Sequence, residues 1–205
     1  MSFPVCGLYA ITQTNNKSAE SIINEVVAAI KGGAVVVQYR DKTPLDAIYL
    51  AGQLLKVCRE YGVPLLINDD VDLAVKVCAD GVHLGREDGA IAEARRRLGA
   101  EAIIGVSCYN FIEHALDAQE QGATYVAFGR FFPSLSKPLA APAELDTLRK
   151  AKFLLDIPVV AIGGILPQNG GQLLAAGAGL LAVIGGLFDN QPEQSARAYR
   201  ALFDS

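Results

Sequence analysis

Tryptophan is absent from this 205-residue sequence, and methionine, histidine and cysteine are scarce, with one, two and four copies. The cysteines are widely spaced, form no Cys-x-x-Cys pair and have no histidine cluster beside them; they are Cys6, Cys58, Cys78 and Cys108. This spacing argues against a zinc site and against a disulfide framework. We interpret all four as small core residues of a protein in a reducing cytoplasm.

Long hydrophobic runs and an excess of positive charge are also missing. No apolar run reaches the roughly 18 residues that a membrane-spanning helix needs, and the N-terminus "MSFPVCGLYAITQ" has no basic region followed by a long apolar core. The net charge is −4, which argues against general binding to nucleic acid or to anionic membranes. We therefore expect a cytoplasmic protein with small-molecule partners, bound to neither nucleic acid nor membrane.

Apolar residues make up 51% of the chain, and short apolar runs alternate with longer amphipathic ones. The predicted strands are Gly7–Thr12, Val35–Arg40, Leu65–Asn68, Gly81–Leu84, Ile103–Ser107, Tyr125–Gly129, Val159–Gly163 and Gly179–Ile184. The predicted helices are Ser18–Lys31, Pro44–Tyr61, Asp70–Cys78, Ile91–Leu98, Phe111–Gln121, Ala143–Leu154, Gln168–Ala176 and Gln191–Phe203. In the first helix, Ser18 is placed as the N-cap and Gly32 just past the end.

Eight strands that are each followed by a helix predict a single (β/α)8 TIM barrel, with residues 1–205 as one catalytic domain. Small-residue corners recur before every second strand, in "GGAVVV", "CADGVHL", "QGATYVAF" and "AAGAGLLAV". A doubly wound open sheet would explain the alternation equally well, but not eight strands without an evident edge strand. The barrel is therefore the preferred fold.

In such a barrel the chemistry lies at the C-terminal ends of the strands. The second strand ends in "VVVQYRDK", and alternation along a strand puts Gln38, Arg40 and Lys42 on one face, with Tyr39 and Asp41 on the other. An ordinary charged strand end, with Asp41 paired to a neighbouring cation, is one interpretation. Two cations and an amide that converge on the barrel mouth suit a dianion better.

The third and fourth strands each deliver acidic residues. "INDD" ends in Asp69 and Asp70, and "GVHLGRED" ends in Glu87 and Asp88. One carboxylate from each of two adjacent strands suits Mg²⁺, which prefers oxygen ligands and keeps several waters. Helix capping explains Asp70 well and is an alternative for Asp88.

Both histidines also have structural interpretations. His83, on the fourth strand, can be a hydrogen-bonded core residue, and His114, in the middle of a predicted helix, is interpreted as structural.

The remaining strands end in hydroxyls and glycines. Ser107 closes the fifth strand as a phosphate donor or a helix cap, and the long loop "RFFPSLSKPLAAPAE" after the sixth carries Ser134, Ser136 and Lys137. Loops of this length in a compact domain are usually functional. The seventh strand ends in "AIGGI" and the eighth in "VIGG". Glycines at these two positions favour a phosphate site built from backbone N–H groups.

The motifs "QYRDK", "INDDVDLA", "DGVHLGRED", "IGVS", "AFGRFFPSLSKP", "PVVAIGGI" and "GLLAVI", taken in this order, resemble the thiamine phosphate synthase family. The resemblance implies a transferase, a thiamine-phosphate diphosphorylase. Such an enzyme joins 4-amino-5-hydroxymethyl-2-methylpyrimidine diphosphate to 4-methyl-5-(2-hydroxyethyl)thiazole phosphate and releases pyrophosphate. The implied path is a dissociative, Mg²⁺-assisted substitution, with one Mg²⁺ per active site.

The resemblance also assigns site residues. It implies that Asp69 and Asp88 bind the metal, that Gln38 and His83 line the pyrimidine site, and that Ser134 and Ser136 supply the hydroxyls of a mobile loop. The implied pyrophosphate contacts are Arg40, Lys42, Asn68, Ser107 and Lys137, of which Arg40, Ser107 and Lys137 are assigned to catalysis. The implied donors to the thiazole phosphate lie at Gly164 and at Ile184–Gly185.

Some positions depart from the family pattern. The mobile loop has "SLSK" where Thr-x-Thr-Lys is common, Gly185 stands where a serine is common, and Arg86 replaces a frequent glutamine. Cys108 and Tyr109 follow Ser107 where Thr-His is usual. None of these changes removes an expected metal ligand or cation, so they bear on turnover and loop dynamics rather than on the reaction.

Two other functions compete with synthesis. A thiazole tautomerase-like barrel would share the fold and the thiazole-phosphate site but would not need the diphosphate-binding residues. A non-catalytic phosphate-ligand binding protein would have little use for the lysine loop. Retention of Asp69, Asp88, Arg40 and Lys137 favours the synthase. The sequence leaves a homo-oligomer open.

Overall fold

The computed structural model describes residues 1–85, 91–133 and 141–204. Within these ranges eight parallel strands pair in sequence order to form a closed barrel, and the last strand pairs with the first, with Leu181 opposite Leu8. The predicted (β/α)8 barrel is confirmed, and closure excludes the doubly wound open sheet.

The strands are β1 Gly7–Ile11, β2 Ala34–Tyr39, β3 Leu65–Asn68, β4 Gly81–Leu84, β5 Ile103–Tyr109, β6 Tyr125–Phe128, β7 Val159–Ile162 and β8 Leu180–Val183. The helices are α1 Ala19–Gly32, α2 Ala47–Glu60, α3 Val71–Val77, α4 Ile91–Leu98, α5 Ile112–Glu120, α6 Leu145–Leu154, α7 Pro167–Ala176, α8 Gly185–Phe188 and α9 Pro192–Arg200, with a 3₁₀ turn at Ala201–Phe203. Across the described parts of the chain, no helix has both the length and the apolar character needed to cross a membrane.

Helix boundaries differ from the prediction where a cap decides them. Ser18 caps α1 as expected, since its hydroxyl accepts from Ser21 N. The helix nevertheless continues through Gly32, and Gly33, at φ 115°, is the left-handed residue that ends it. The second helix begins three residues later than predicted because the Asp46 carboxylate caps it by accepting from Tyr49 N at 2.9 Å.

Two apolar layers hold the barrel together. Inside it, alternate residues of the strands pack on one another; the buried members are Tyr9, Ile11, Val36, Leu66, Ile103, Tyr125, Ala127, Val160, Leu180 and Ala182. The outward residues of the same strands pack against the helices in a second, larger cluster. This two-sided burial explains why the strands are near-continuous apolar runs. Because both faces of the strands are buried, most polar side chains lie at the strand ends.

The cysteine prediction is correct for two residues and wrong for two. Cys58 and Cys108 are buried in the core, where burial raises the pKa of each thiol to about 12. Cys6 and Cys78 are exposed, because Cys6 precedes the first strand and Cys78 ends α3 in a left-handed conformation at φ 56°. All four thiols are free, as expected.

Candidate active site

The carboxyl ends of the strands form one rim of the barrel, which we call the mouth. At the end of β2, Gln38 lies inside the barrel and is buried, whereas Tyr39 packs outside in the helix-facing core. The predicted alternation is thus confirmed at these two residues. Arg40 follows directly, half-buried, with its backbone held by Thr12 in both directions: Arg40 N donates to Thr12 Oγ1 at 2.9 Å, and Thr12 Oγ1 donates to Arg40 O at 3.1 Å. Thr12 therefore fixes the backbone position from which the Arg40 side chain extends. Lys42, two residues further along the chain, is exposed.

The end of β3 separates its two aspartates into different roles. Asp70 caps α3, since its carboxylate accepts from Leu73 N at 2.8 Å, which confirms the capping interpretation. Asp69 has φ 63°, in the left-handed region that Asp tolerates better than most residues. Its backbone N–H donates to His83 O at 2.8 Å. The exposed Asp69 carboxylate accepts from Asn68 Nδ2 and, at 3.2 Å, from Gly85 N, so backbone and side chain are both held at the mouth.

His83 and Ser107 belong to a buried polar group inside the barrel. His83 Nε2 is 2.9 Å from Ser107 Oγ, and His83 Nδ1 is 2.8 Å from the Tyr125 hydroxyl. Tyr125 is 2.8 Å from the Tyr9 hydroxyl, which also accepts from Gln38 Nε2 at 2.6 Å. His83 is thus a hydrogen-bonded interior histidine, as the structural interpretation predicted, and it also lies directly beneath the mouth. Ser107 is a member of this group and does not cap α5, whose N-cap residue is Phe111.

Both tyrosines of this group remain protonated. Burial raises the pKa of Tyr9 and Tyr125 well above the ordinary value of a phenol. Each side chain therefore brings one O–H donor and one acceptor into the barrel. Hydrogen bonding to neighbours compensates for the cost of burying these polar groups.

The loops after β6 and β7 are joined. Phe131 N donates to Ile162 O at 3.2 Å, and Phe132 N donates to Gly163 O at 3.0 Å. The other described end of the β6–α6 loop is fixed by Ala143 N, which donates to Arg130 O at 2.7 Å. The start of the loop whose sequence carries Lys137 therefore rests on the glycine pair Gly163–Gly164.

The glycine pair has backbone angles that other residues avoid. Gly163 has φ 104° and Gly164 has φ 62°. A Cβ added to Gly164 would lie 2.3 Å from Pro133 O, which a side chain cannot tolerate. Among the described residues, Gly164 N donates no hydrogen bond to another backbone group. This N–H is therefore a donor that an anion at the mouth can use.

The loop after β8 enters the short helix α8 directly at Gly185. N–H groups in the first turn of a helix have no intrahelical acceptor, which leaves them for a ligand or for water. A Cβ on Gly185 would lie 2.5 Å from Asp189 Oδ2. A serine here would require the Asp189 side chain to move, and with glycine in place only backbone groups are offered. Sequence patterns did not predict α8.

Several expected site residues lie outside the described ranges. They are Arg86, Glu87, Asp88, Ser134, Ser136 and Lys137. Their assignments stay predictions. Within the described residues, no three His, Cys, Asp or Glu side chains are grouped as a metal site.

His114 lies on α5, as expected for a structural histidine, with its ring 4.9 Å from the Phe111 ring.

Four residues that shape the site were not predicted. Thr12 positions Arg40, Tyr9 and Tyr125 link Gln38 to His83, and Asn110 fixes the start of α6. Asn110 Oδ1 does so by accepting from Glu144 N and from the Thr147 hydroxyl. The sequence indicates only ordinary strand core residues at Tyr9 and Tyr125, because a sequence pattern does not show where a phenol oxygen points.

Comparisons with known proteins agree with this geometry. Residues 8–187 match the thiamine monophosphate synthase family. The thiamine-phosphate synthase of Nitrosococcus oceani is 48% identical over 208 residues, covering 100% of this chain and 96% of the relative. That of Chromobacterium violaceum is 50% identical over 199 residues, covering 96% and 94%. The solved thiamine phosphate pyrophosphorylase from Pyrococcus furiosus has a TM-score of 0.87 and 34% identity, covering 97% of this chain and 95% of that one.

The fold and the mouth define a class of protein: a (β/α)8 enzyme whose mouth has polar and charged residues after β2 to β5 and glycines after β7 and β8. Within that class, the chain belongs to the thiamine monophosphate synthase family. It is a transferase of thiamine biosynthesis, as the resemblance implied.

Proposed function

We propose that the two halves of the mouth bind the two substrates of thiamine phosphate synthesis. The polar half would hold 4-amino-5-hydroxymethyl-2-methylpyrimidine diphosphate, and the glycine half would hold 4-methyl-5-(2-hydroxyethyl)thiazole phosphate. The observation that carries this proposal is the division itself. Arg40, Asn68, Asp69 and Ser107 lie at or near the carboxyl ends of β2, β3 and β5 on one side, and the glycine pair Gly163–Gly164 follows β7 on the other.

The reaction requires stabilisation of charge on the leaving group and correct placement of the two reactants, and it does not require a general base. Loss of pyrophosphate from the pyrimidine leaves a cation that the exocyclic amine delocalises, and the thiazole nitrogen is already a nucleophile. The residues must therefore stabilise the leaving group and position the two reactants. Arg40 is placed for the first task, because its backbone is fixed by Thr12 and its guanidinium can bind two phosphate oxygens at once.

The donor set at the end of β3 suits a hard cation. Asp69 presents a carboxylate whose orientation is fixed by Asn68 and Gly85, and such oxygens are preferred ligands of Mg²⁺. Bound there with Asp88 as second ligand, Mg²⁺ would neutralise charge on the diphosphate. Asn68 and Gly85 N would keep the Asp69 carboxylate aimed at the mouth, and Asp70, committed to capping α3, would not take part.

On the other half, backbone donors would place the nucleophile. Gly164 N and the first N–H groups of α8 are available to a phosphate, and both are fixed by the strands that precede them. The proposal also includes four residues assigned from the family resemblance. Lys42 and Lys137 would contact the pyrophosphate, and Ser134 and Ser136 would supply the hydroxyls of the mobile loop. The four free thiols support a reducing cytoplasm as the compartment.

The test is to incubate the protein with both substrates, with Mg²⁺ or with a chelator, and to measure thiamine phosphate and pyrophosphate. We expect equal amounts of the two products, and only with Mg²⁺. Isomerised thiazole phosphate formed without Mg²⁺ would point to a tautomerase, and binding without any product would point to a ligand-binding protein.

A further inference from the structure

Five side chains form a continuous hydrogen-bond chain inside the barrel, in the order Gln38, Tyr9, Tyr125, His83 and Ser107. We call it the interior chain. Its members come from five different strands, and its two ends, Gln38 and Ser107, reach the mouth at β2 and β5. Gln38, Tyr9, Tyr125 and His83 are buried.

The barrel is built to accommodate this arrangement. A Cβ added to Gly105, opposite Tyr125 in the β5–β6 register, would lie 2.0 Å from the Tyr125 ring and 2.3 Å from its hydroxyl oxygen. Only glycine at this position lets the Tyr125 hydroxyl reach His83 Nδ1. Phe3 stacks on the same ring at a centroid distance of 4.0 Å and holds it from below.

Counting protons gives the interior chain a direction. Gln38 donates its amide N–H to the Tyr9 hydroxyl, so Tyr9 passes its one proton to the Tyr125 hydroxyl. Tyr125 in turn donates to His83 Nδ1, which makes Nδ1 the acceptor of the imidazole. With Nδ1 as the acceptor, His83 carries its proton on Nε2 and donates to Ser107 Oγ. The Ser107 proton is then left for an acceptor beyond the interior chain.

The direction sets the polarity of both ends. At one end, Gln38 donates an amide N–H to Tyr9, so its carbonyl oxygen Oε1 is the group that can accept from a ligand. At the other end, Ser107 can donate its O–H to a ligand. The proposed pyrimidine substrate has the complementary pattern, with an amine that donates at one end and a diphosphate that accepts at the other.

We propose, building on the function proposed above, that Tyr9 and Tyr125 are positioning residues that select an aminopyrimidine diphosphate. They lock the Gln38 amide as an acceptor for the ring amine, and His83 as the Nε2–H tautomer that turns the Ser107 hydroxyl towards the diphosphate. A 4-oxopyrimidine analogue would bring a carbonyl against Gln38 Oε1 and would be rejected, because a polar site is left with mismatched groups.

The first test is spectroscopic and needs no activity. A long-range ¹H–¹⁵N correlation spectrum of the ¹⁵N-labelled protein, recorded well above the ordinary imidazole pKa of about 6.5, distinguishes the two tautomers. The chain has only two histidines, so His114 is an internal reference. We expect His83 as the Nε2–H tautomer in the wild type and a mixture in Tyr125→Phe. A wild-type Nδ1–H tautomer would overturn the direction of the interior chain.

The second test measures selectivity. Tyr9→Phe removes the acceptor that holds Gln38, so the amide can turn over. We expect the ratio of kcat/KM for the 4-amino substrate to that for the 4-oxo analogue to fall by about tenfold or more. Tyr39→Phe, a buried tyrosine outside the barrel interior, is the matched control and should keep the wild-type ratio.

A structural role alone would lower both rates together and leave the ratio unchanged, which would refute the proposal. A wild type that makes no thiamine phosphate would instead refute the proposed function, while the tautomer measurement would still decide the direction of the interior chain.

Discussion

The glycine pair after β7 allows a prediction whose size follows from the coordinates. Gly164 has φ 62°, and its added Cβ would lie 2.3 Å from Pro133 O and 2.9 Å from Phe132. Holding an L-residue in the left-handed region costs roughly 1–2 kcal/mol, and displacing packed neighbours costs roughly 1–3 kcal/mol. Gly164→Ala should therefore lower the free energy of unfolding by about 2–5 kcal/mol, which is on the order of 10 °C in Tm for a chain of this size.

The same substitution should weaken one ligand more than the other. Relief of the clash moves Gly164 N and the start of the β6–α6 loop, so we expect kcat/KM for thiazole phosphate to fall by about 10²-fold. Binding of pyrophosphate with Mg²⁺, on the other half of the mouth, should change little. Calorimetric titration of each ligand and a thermal scan measure both effects.

A matched control is available on the following helix. Gly171 lies in α7 and its added Cβ would meet nothing within 4 Å, so Gly171→Ala should raise stability by about 0.5–1 kcal/mol and leave both ligands unaffected. Wild-type Tm and thiazole-phosphate binding in Gly164→Ala would refute the reasoning. Loss of pyrophosphate binding with thiazole-phosphate binding retained would mean that the two halves have been assigned the wrong way round.

Three further substitutions test single contacts. Arg40→Ala should slow pyrophosphate release in a single turnover by about 100- to 1,000-fold, with thiazole-phosphate binding intact by calorimetry; an unchanged rate would contradict its role. Lys137→Ala should reduce the single-turnover rate by a similar factor, about 100-fold or more, and weakened thiazole binding at an unchanged rate would assign it to the other substrate. Tyr199→Phe removes the hydroxyl that donates to Ile165 O at 2.9 Å, so it should cost about 1–3 kcal/mol in denaturant unfolding; wild-type stability would show that another group satisfies this carbonyl.

The sequence predicted the order of strands and helices because burial on both faces of a barrel strand leaves a strong apolar signal. Boundaries were less accurate where one hydrogen bond or one backbone angle decides them. Asp46 sets the start of α2, and Gly33, rather than Gly32, takes the left-handed angle that ends α1. The short helix α8 was missed because "IGGLFDN" carries two glycines and no apolar period long enough to indicate a helix.

At the site, the sequence predicted where particular residues lie but not how they are held. The capping role of Asp70 and the interior position of Gln38 are confirmed, because both follow from local patterns of capping and alternation. The interior chain through Tyr9 and Tyr125 was not predicted. It depends on hydroxyl positions fixed by contacts between residues 24 to 116 positions apart, which no local pattern records.

The most direct test of the central claim compares two neighbouring carboxylates, one on the mouth and one on a helix cap. The measurement is the rate of thiamine phosphate formation as Mg²⁺ is titrated into the wild type, Asp69→Asn and Asp70→Asn. Asn keeps the tolerance for a left-handed angle at residue 69 and the capping ability at residue 70. At residue 69 it removes the charge and one of the two oxygens that accept from Asn68 Nδ2 and Gly85 N. We expect Asp70→Asn to follow the wild-type curve and Asp69→Asn to lose about 100-fold or more in rate at every Mg²⁺ concentration. Rates for Asp69→Asn that equal the wild-type rates across the Mg²⁺ titration would contradict the metal assignment.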